Sequence, residues 1–143
     1  MIKSVTLGEE IVITTSNKVG LLAKIALALS NSGVNIEAAS GYEVGKSAKL
    51  LLVTNANIRI MNELKKKGYK SVKEIEVVLV ELDNRPGALK VVTTELEKEK
   101  IDIKHLYVTS SYTGGSSRMV METSDNEATM ALLSKYIERK KDQ

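Results

Sequence analysis

Two short stretches carry residue types from which a small-molecule site can be built: Asn17-Lys18-Val19-Gly20-Leu21 and Asp83-Asn84-Arg85-Pro86-Gly87-Ala88. Each lies between a β-branched run and a segment of helical periodicity, so each opens a helix. A glycine at that point lets a ligand approach bare N–H groups, where the helix dipole favours an anion such as a carboxylate. Gly20 and Gly87 hold those places. Asn17 and Asn84 add amide groups, Asp83 is suited to an ammonium, and Lys18, Leu21, Arg85 and Ala88 complete the candidate set. Asn-Arg-Pro-Gly is also simply a good turn and helix start, with Asn as cap and Pro preorganised for the first turn. Taken alone, these residues support both readings.

Other chemistries find less material. No nucleophile with a partnered base, no metal-ligand cluster and no dinucleotide fingerprint can be assembled, so the chain is read as a non-enzyme that needs no cofactor and no metal. Asp83 and Asp102 are an unanchored acidic pair. His105 is the only histidine, which rules out a His-based metal site within one chain and suits a strand edge or surface. Cysteine is absent, which excludes thiol catalysis and disulfides. Gly114-Gly115-Ser116-Ser117 joins two strands instead of opening a helix, so it reads as a flexible hairpin tip and not a phosphate loop.

Lys plus Arg total 21 against 18 Asp plus Glu, a net +3, which is far from a nucleic-acid-binding stripe. Neither 50–53 nor 118–121 carries an aromatic to stack bases. No nucleic-acid partner is therefore expected. The first ten residues lack a signal-peptide core, and the most apolar run, 19–29, is interrupted by Lys24 and too short to cross a bilayer. A cytoplasmic address with no membrane partner follows as the expectation. A hydrophobic fraction of 43% with no Phe or Trp implies an aliphatic core.

The elements that must position these residues occur twice. Asn17, Lys18, Gly20, Leu22, Leu29 and Ile36 recur as Asn84, Arg85, Gly87, Leu89, Leu96 and Ile103, a shift of 67 (84 − 17). Lys3-Ser4-Val5 recurs as Lys70-Ser71-Val72. Downstream the shift is 69, Leu50, Leu52, Thr54, Met61 and Leu64 becoming Met119, Met121, Thr123, Met130 and Leu133, so two residues enter copy two near 113–116. Strands are expected at 10–14 and 76–82, then helices whose core faces are Leu22, Ile25, Ala26, Leu29 and Leu89, Val92, Thr93, Leu96. Hairpins follow at 34–40 with 48–54 and at 101–109 with 118–123. The last helices are read as capped by Asn57 and by a Ser124-x-x-Glu127 box, with Gly68 ending the first and Lys65-Lys66-Lys67 complementing its dipole.

Strand, helix, hairpin, helix, strand predicts an α+β fold of two tandem ferredoxin-like βαββαβ units, antiparallel sheets with helices on one face. The units are expected at 1–72 and 73–143. Copy two lacks a closing strand, since 138–143 is too polar, and residues 2–5 are expected to complete its sheet and remove a raw edge.

Asn84-Arg85-Pro86-Gly87-Ala88-Leu89 and Gly33-Val34-Asn35-Ile36 resemble the signature of the ACT domain, a regulatory module that binds amino acids in biosynthetic enzymes, and the chain resembles a free-standing tandem pair. The resemblance places a ligand where the strand-to-helix loop of one unit faces the second strand of a neighbour, which adds Asn35 and Asp102 and allows both ends of a zwitterion to be held. Val19 stands for the family's Pro, Ser16 for Asp83, and Lys100-Ile101-Asp102-Ile103 for Gly-Val-Asn-Ile. The copy-two loop is the favoured site on these grounds. The implied protein is a sensor of an amino acid or related metabolite, acting allosterically as a homodimer or larger homo-oligomer. The alternative is a non-catalytic subunit of a biosynthetic enzyme with no small ligand.

Overall fold

β1 runs without interruption over Ile2–Ser16, so the stretches read separately from the sequence at 2–5 and 10–14 are one strand. The computed structural model describes residues 1–110 and 115–137. The further elements are α1 Leu21–Asn31, β2 Ile36–Val44, β3 Ser47–Thr54, α2 Asn57–Lys66, β4 Ser71–Asp83, α3 Ala88–Lys98, β5 Ile103–Ser110, β6 Ser116–Thr123 and α4 Asn126–Ser134. The fold is α+β. Of the insertion expected near 113–116 and the hairpin tip expected at 114–117, residues 113 and 114 lie outside the described residues, as does the polar tail 138–143, while Ser116 and Ser117 belong to β6 and are not part of a turn.

The residues form two compact units, Glu9–Ile75 and Met1–Gly8 with Glu76–Gln143. In the first, the strand order is β2-β3-β1-β4; in the second it is β1-β4-β6-β5. The pairings β1/β3 and β2/β3, and β4/β6 and β5/β6, are antiparallel. Both edge strands slip register at the same place, between Ile36 and Ala38 in β2 and between Ile103 and His105 in β5.

Alternation along the strands builds each core. In Glu9–Ile75, Ile11 and Ile13 of β1 meet Leu50 and Leu52 of β3 under Ile25, Ala28 and Leu29 of α1 and Ile60 and Leu64 of α2. In the other unit, Ile2 and Val5 join Val78, Val80 and Leu82, with Val92, Leu96 and Leu133 from the helices. Met119 and Met121 are fully buried there, as their alignment with Leu50 and Leu52 requires. Each such aliphatic side chain stabilises the fold by about 1.5–3 kcal/mol through burial.

Two local readings need correction. Leu22 and Ala26 point outward, Leu22 being 58% exposed, and Leu89 is 43% exposed; α1 buries Ile25, Ala28 and Leu29, and α3 buries Ala88, Val92 and Leu96. Each buried face is thus shifted from the expected one, with Ala28 and Ala88 inside in place of Leu22 and Leu89. The caps also differ. α2 has Ala56 at its N-cap, and α4 is capped by the Asp125 carboxylate, which accepts from the Ala128 N–H at 3.0 Å.

Asn57 and Asn126 instead tie helix to strand. The Asn57 side-chain oxygen accepts from the Thr54 N–H (3.1 Å) and hydroxyl (2.6 Å), while its amide donates to the Glu9 carbonyl (3.1 Å). Asn126 does the same with Thr123 (2.9 Å twice) and the Glu76 carbonyl (3.0 Å). Thr54 and Thr123 are buried, so these bonds satisfy groups that water does not reach.

Candidate functional site

The chain leaves β1 at Ser16 and turns through Asn17, Lys18 and Val19 into α1. Gly20 has φ 86°, and the turn closes with the Leu21 N–H donating to the Lys18 carbonyl at 3.1 Å. Copy two repeats this closely, with Gly87 at φ 90° and the Ala88 N–H donating to the Arg85 carbonyl at 3.3 Å. No side chain caps either helix start. A Cβ at Gly20 would meet nothing within 4 Å, so Gly20→Ala strains only the backbone. It is expected to lower stability by about 1–2 kcal/mol in urea denaturation, and a change below about 0.5 kcal/mol contradicts the strained turn.

Within Glu9–Ile75, the start of α1 and the edge strand β2 enclose an open groove of about 340 Å³. Leu21, Leu22, Ala48 and Leu50 give it an apolar floor, and Asn17, Lys18, Gly20, Gly41, Tyr42 and Glu43 a polar rim. The Asn17 amide donates to the Glu43 carboxylate, and the Asn17 N–H to the Lys46 carbonyl at 2.9 Å. The groove therefore sets a lysine side chain and the start of α1 beside a carboxylate. Gly41 keeps it open, since a Cβ there would lie 2.8 Å from Leu50 Cδ2.

Of the sequence candidates, Asn17, Lys18, Gly20 and Leu21 thus line one groove. Gly41, Tyr42 and Glu43 are not among those candidates. They belong to the groove because β2 pairs Gly41 with Leu50 and Glu43 with Ala48, a register that no local pattern announces. Asn35 does not line the groove; it is exposed, and its N–H donates to Asn55 Oδ1 at 3.0 Å. Asp102, also exposed, has its N–H on Ser124 Oγ at 3.0 Å.

In copy two, Asp83 is held by the chain's own cations. Its carboxylate lies 3.3 Å from the Arg85 guanidinium, 3.7 Å from Lys3 Nζ and 3.7 Å from the Met1 amino group. Asn84 Oδ1 accepts from Ser117 Oγ at 3.4 Å, and a Cβ at Gly87 would lie 3.6 Å from Met1 Cε. Ala88 is buried in the core. His105 sits on edge strand β5 with Nδ1 3.1 Å from Glu122. Farther along α3, hydrogen bonds from Tyr136 and then Lys98 hold the Glu95 carboxyl below its usual range.

Among the described residues, no three His, Asp or Glu side chains gather as a metal site, and no helix is long and apolar enough to cross a membrane.

No family model matches the chain. No curated protein matches it either. Solved structures do. A protein from Bacteroides thetaiotaomicron superposes with a TM-score of 0.84 at 21% identity, covering 92% of this chain and 90% of its own. The ligand-free regulatory subunit of aspartate kinase from Thermus thermophilus gives a TM-score of 0.68 at 11% identity over 96% and 100% of the two chains. The corresponding subunit from Thermus flavus gives 0.60 at 13% identity over 96% and 99%. At these identities the likeness is one of fold, and the fold is that of aspartate kinase regulatory subunits.

Proposed function

We propose that this protein is a regulatory sensor built from a tandem pair of ACT-type units, and that it binds a free amino acid or a closely related metabolite without transforming it. The observation that carries this reading is the groove beside Gly20. It offers Lys18 and the α1 amides to a carboxylate, Glu43 to an ammonium, and Leu21, Leu22 and Leu50 to a side chain. The fold shared with aspartate kinase regulatory subunits supports a regulatory role. Ligand would act by favouring one packing of a homo-oligomer, or of a complex with a biosynthetic enzyme, over another, which requires different affinity for the two states.

Copy one is the preferred site, because Asp83 in copy two is already compensated by Lys3 and Arg85. Asp83, Asn84, Arg85, Gly87 and Ala88 would then shape a structural turn, with Asn35 and Asp102 holding the start of β2 and β5.

The test is a thermal-shift screen against the twenty amino acids and related metabolites. A ligand at about 100 times its dissociation constant adds about 2.7 kcal/mol, several degrees in a chain of this size. The expected result is a hit abolished by Glu43→Gln and retained in Asp83→Ala. Loss in Asp83→Ala with retention in Glu43→Gln moves the site to copy two. No hit at all favours the second reading, a non-catalytic partner subunit, for which the exposed Ile36, Tyr42 and Val44 of edge strand β2 are the docking residues.

A further inference from the structure

We propose a second binding site at the β1–α1 loop, distinct from the groove, specific for a free oxyanion: the phosphate or carboxylate group of a small metabolite. A hollow of about 210 Å³ there is lined by Thr15, Ser16, Lys18, Lys24 and Tyr69, with Val19 and Leu21 beside them. It holds two cations and three hydroxyls, and no carboxylate. Among the described residues, neither Lys18 nor Lys24 makes an ion pair.

The chain itself supplies the reference for what belongs there. At the repeat shift of 67, Ser16 corresponds to Asp83, Lys18 to Arg85 and Lys70 to Lys3. In copy two, the Asp83 carboxylate draws in Arg85 and Lys3, at 3.3 Å and 3.7 Å. In the hollow, copy one keeps Lys18 as the counterpart of Arg85, has a serine in place of the carboxylate, and adds Lys24 where copy two has Val91. An anion from solution takes the place of the missing carboxylate, with charge-assisted bonds from the lysines and neutral ones from the Ser16, Thr15 and Tyr69 hydroxyls. A lysine pair with hydroxyl donors suits a doubly charged phosphate better than a single carboxylate.

This site is separate from the amino-acid groove, although Lys18 and Leu21 line both, so the test uses residues that line only one. Inorganic phosphate is titrated by calorimetry in a buffer free of other oxyanions, at ionic strength matched with chloride. The expected result is saturable binding, weakened at least about tenfold by Lys24→Gln and by Ser16→Asp, which rebuilds the copy-two arrangement, and unchanged in Glu43→Gln. Acetate as competitor separates the sources: displacement of phosphate shows that a carboxylate is also accepted, and no displacement restricts the site to phosphate. No phosphate heat beyond the chloride control, or equal affinity in Ser16→Asp and Lys24→Gln, overturns the proposal whatever the amino-acid screen returns.

Discussion

Deleting residues 1–8 is expected to unfold the unit formed with Glu76–Gln143. Ile2 is fully buried and Val5 nearly so, in one core with Val80, Leu82, Val92, Leu96, Met119 and Leu133. Emptying an isoleucine site costs about 2–5 kcal/mol, and a valine somewhat less. The deletion also removes the Asp83 N–H bond to the Met1 carbonyl at 2.8 Å, the Lys3 contacts with Asp83 and Ser116, and the partner strand along β4. The total, about 5–8 kcal/mol, is comparable with the whole stability of a small domain. Amide hydrogen exchange is the measurement, because it reads each element separately. Protection in α3, β5, β6 and α4 should collapse. Native-like protection there in the truncated chain contradicts the account. Ile2→Ala in the full-length chain should give a graded loss of about 2–4 kcal/mol in the same elements.

Asn57→Ala and Asn126→Ala are expected to cost about 2–4 kcal/mol each, more than is usual for a residue at a helix start. Each asparagine accepts two bonds from a buried threonine and donates one to the carbonyl of a neighbouring strand. Truncation leaves the buried threonine N–H without its acceptor and deprives the threonine hydroxyl of one. The hydroxyl keeps only the N–H it accepts from Ala56 or Asp125 and, at Thr123, the Thr129 contact. A buried orphan costs about 1–3 kcal/mol unless water enters. Asn57→Asp keeps the acceptor but loses the donor, and should fall between alanine and the native residue. Urea denaturation checks the series. A loss under about 1 kcal/mol for both alanine variants refutes the tie. Thr123 carries the further Thr129 hydroxyl contact at 3.0 Å, so Asn126→Ala should be partly cushioned compared with Asn57→Ala.

Much of the architecture is legible in the linear sequence because its determinants are local. The two stretches read as matching in the sequence share glycines at positive φ, Gly20 and Gly87, and buried side chains at matched strand positions, Ile11, Ile13, Leu50 and Leu52 in one and Met119 and Met121 in the other. A positive φ needs glycine whatever surrounds it, and a strand's inward face repeats every second residue in any sheet. The types of most elements follow from these two constraints. The aliphatic character of the core follows from a composition without Phe or Trp.

What escaped is decided across space. Helical periodicity restricts α1 to an apolar arc, but Leu21, Leu22, Ala26 and Ala28 all satisfy that arc, and only the sheet beneath selects Ala28 and leaves Leu22 in water. Ser124 and Asn57 have the chemistry of caps, yet Ser124 holds the Asp102 N–H, which comes within reach only once β5 and β6 have paired, and Asn57 turns back to hold Thr54 while its amide reaches the Glu9 carbonyl of β1. Glu43 and Gly41 enter the candidate groove through the register of β2 on β3, where a one-residue slip would turn both away. The sequence by itself determined the types of most elements and the two glycine turns, since each rests on interactions within a few residues. The tertiary structure alone decided which helix face is buried, which asparagines tie strand to helix and which carboxylate borders the groove, since each depends on partners 20 or more residues away that only strand pairing brings together.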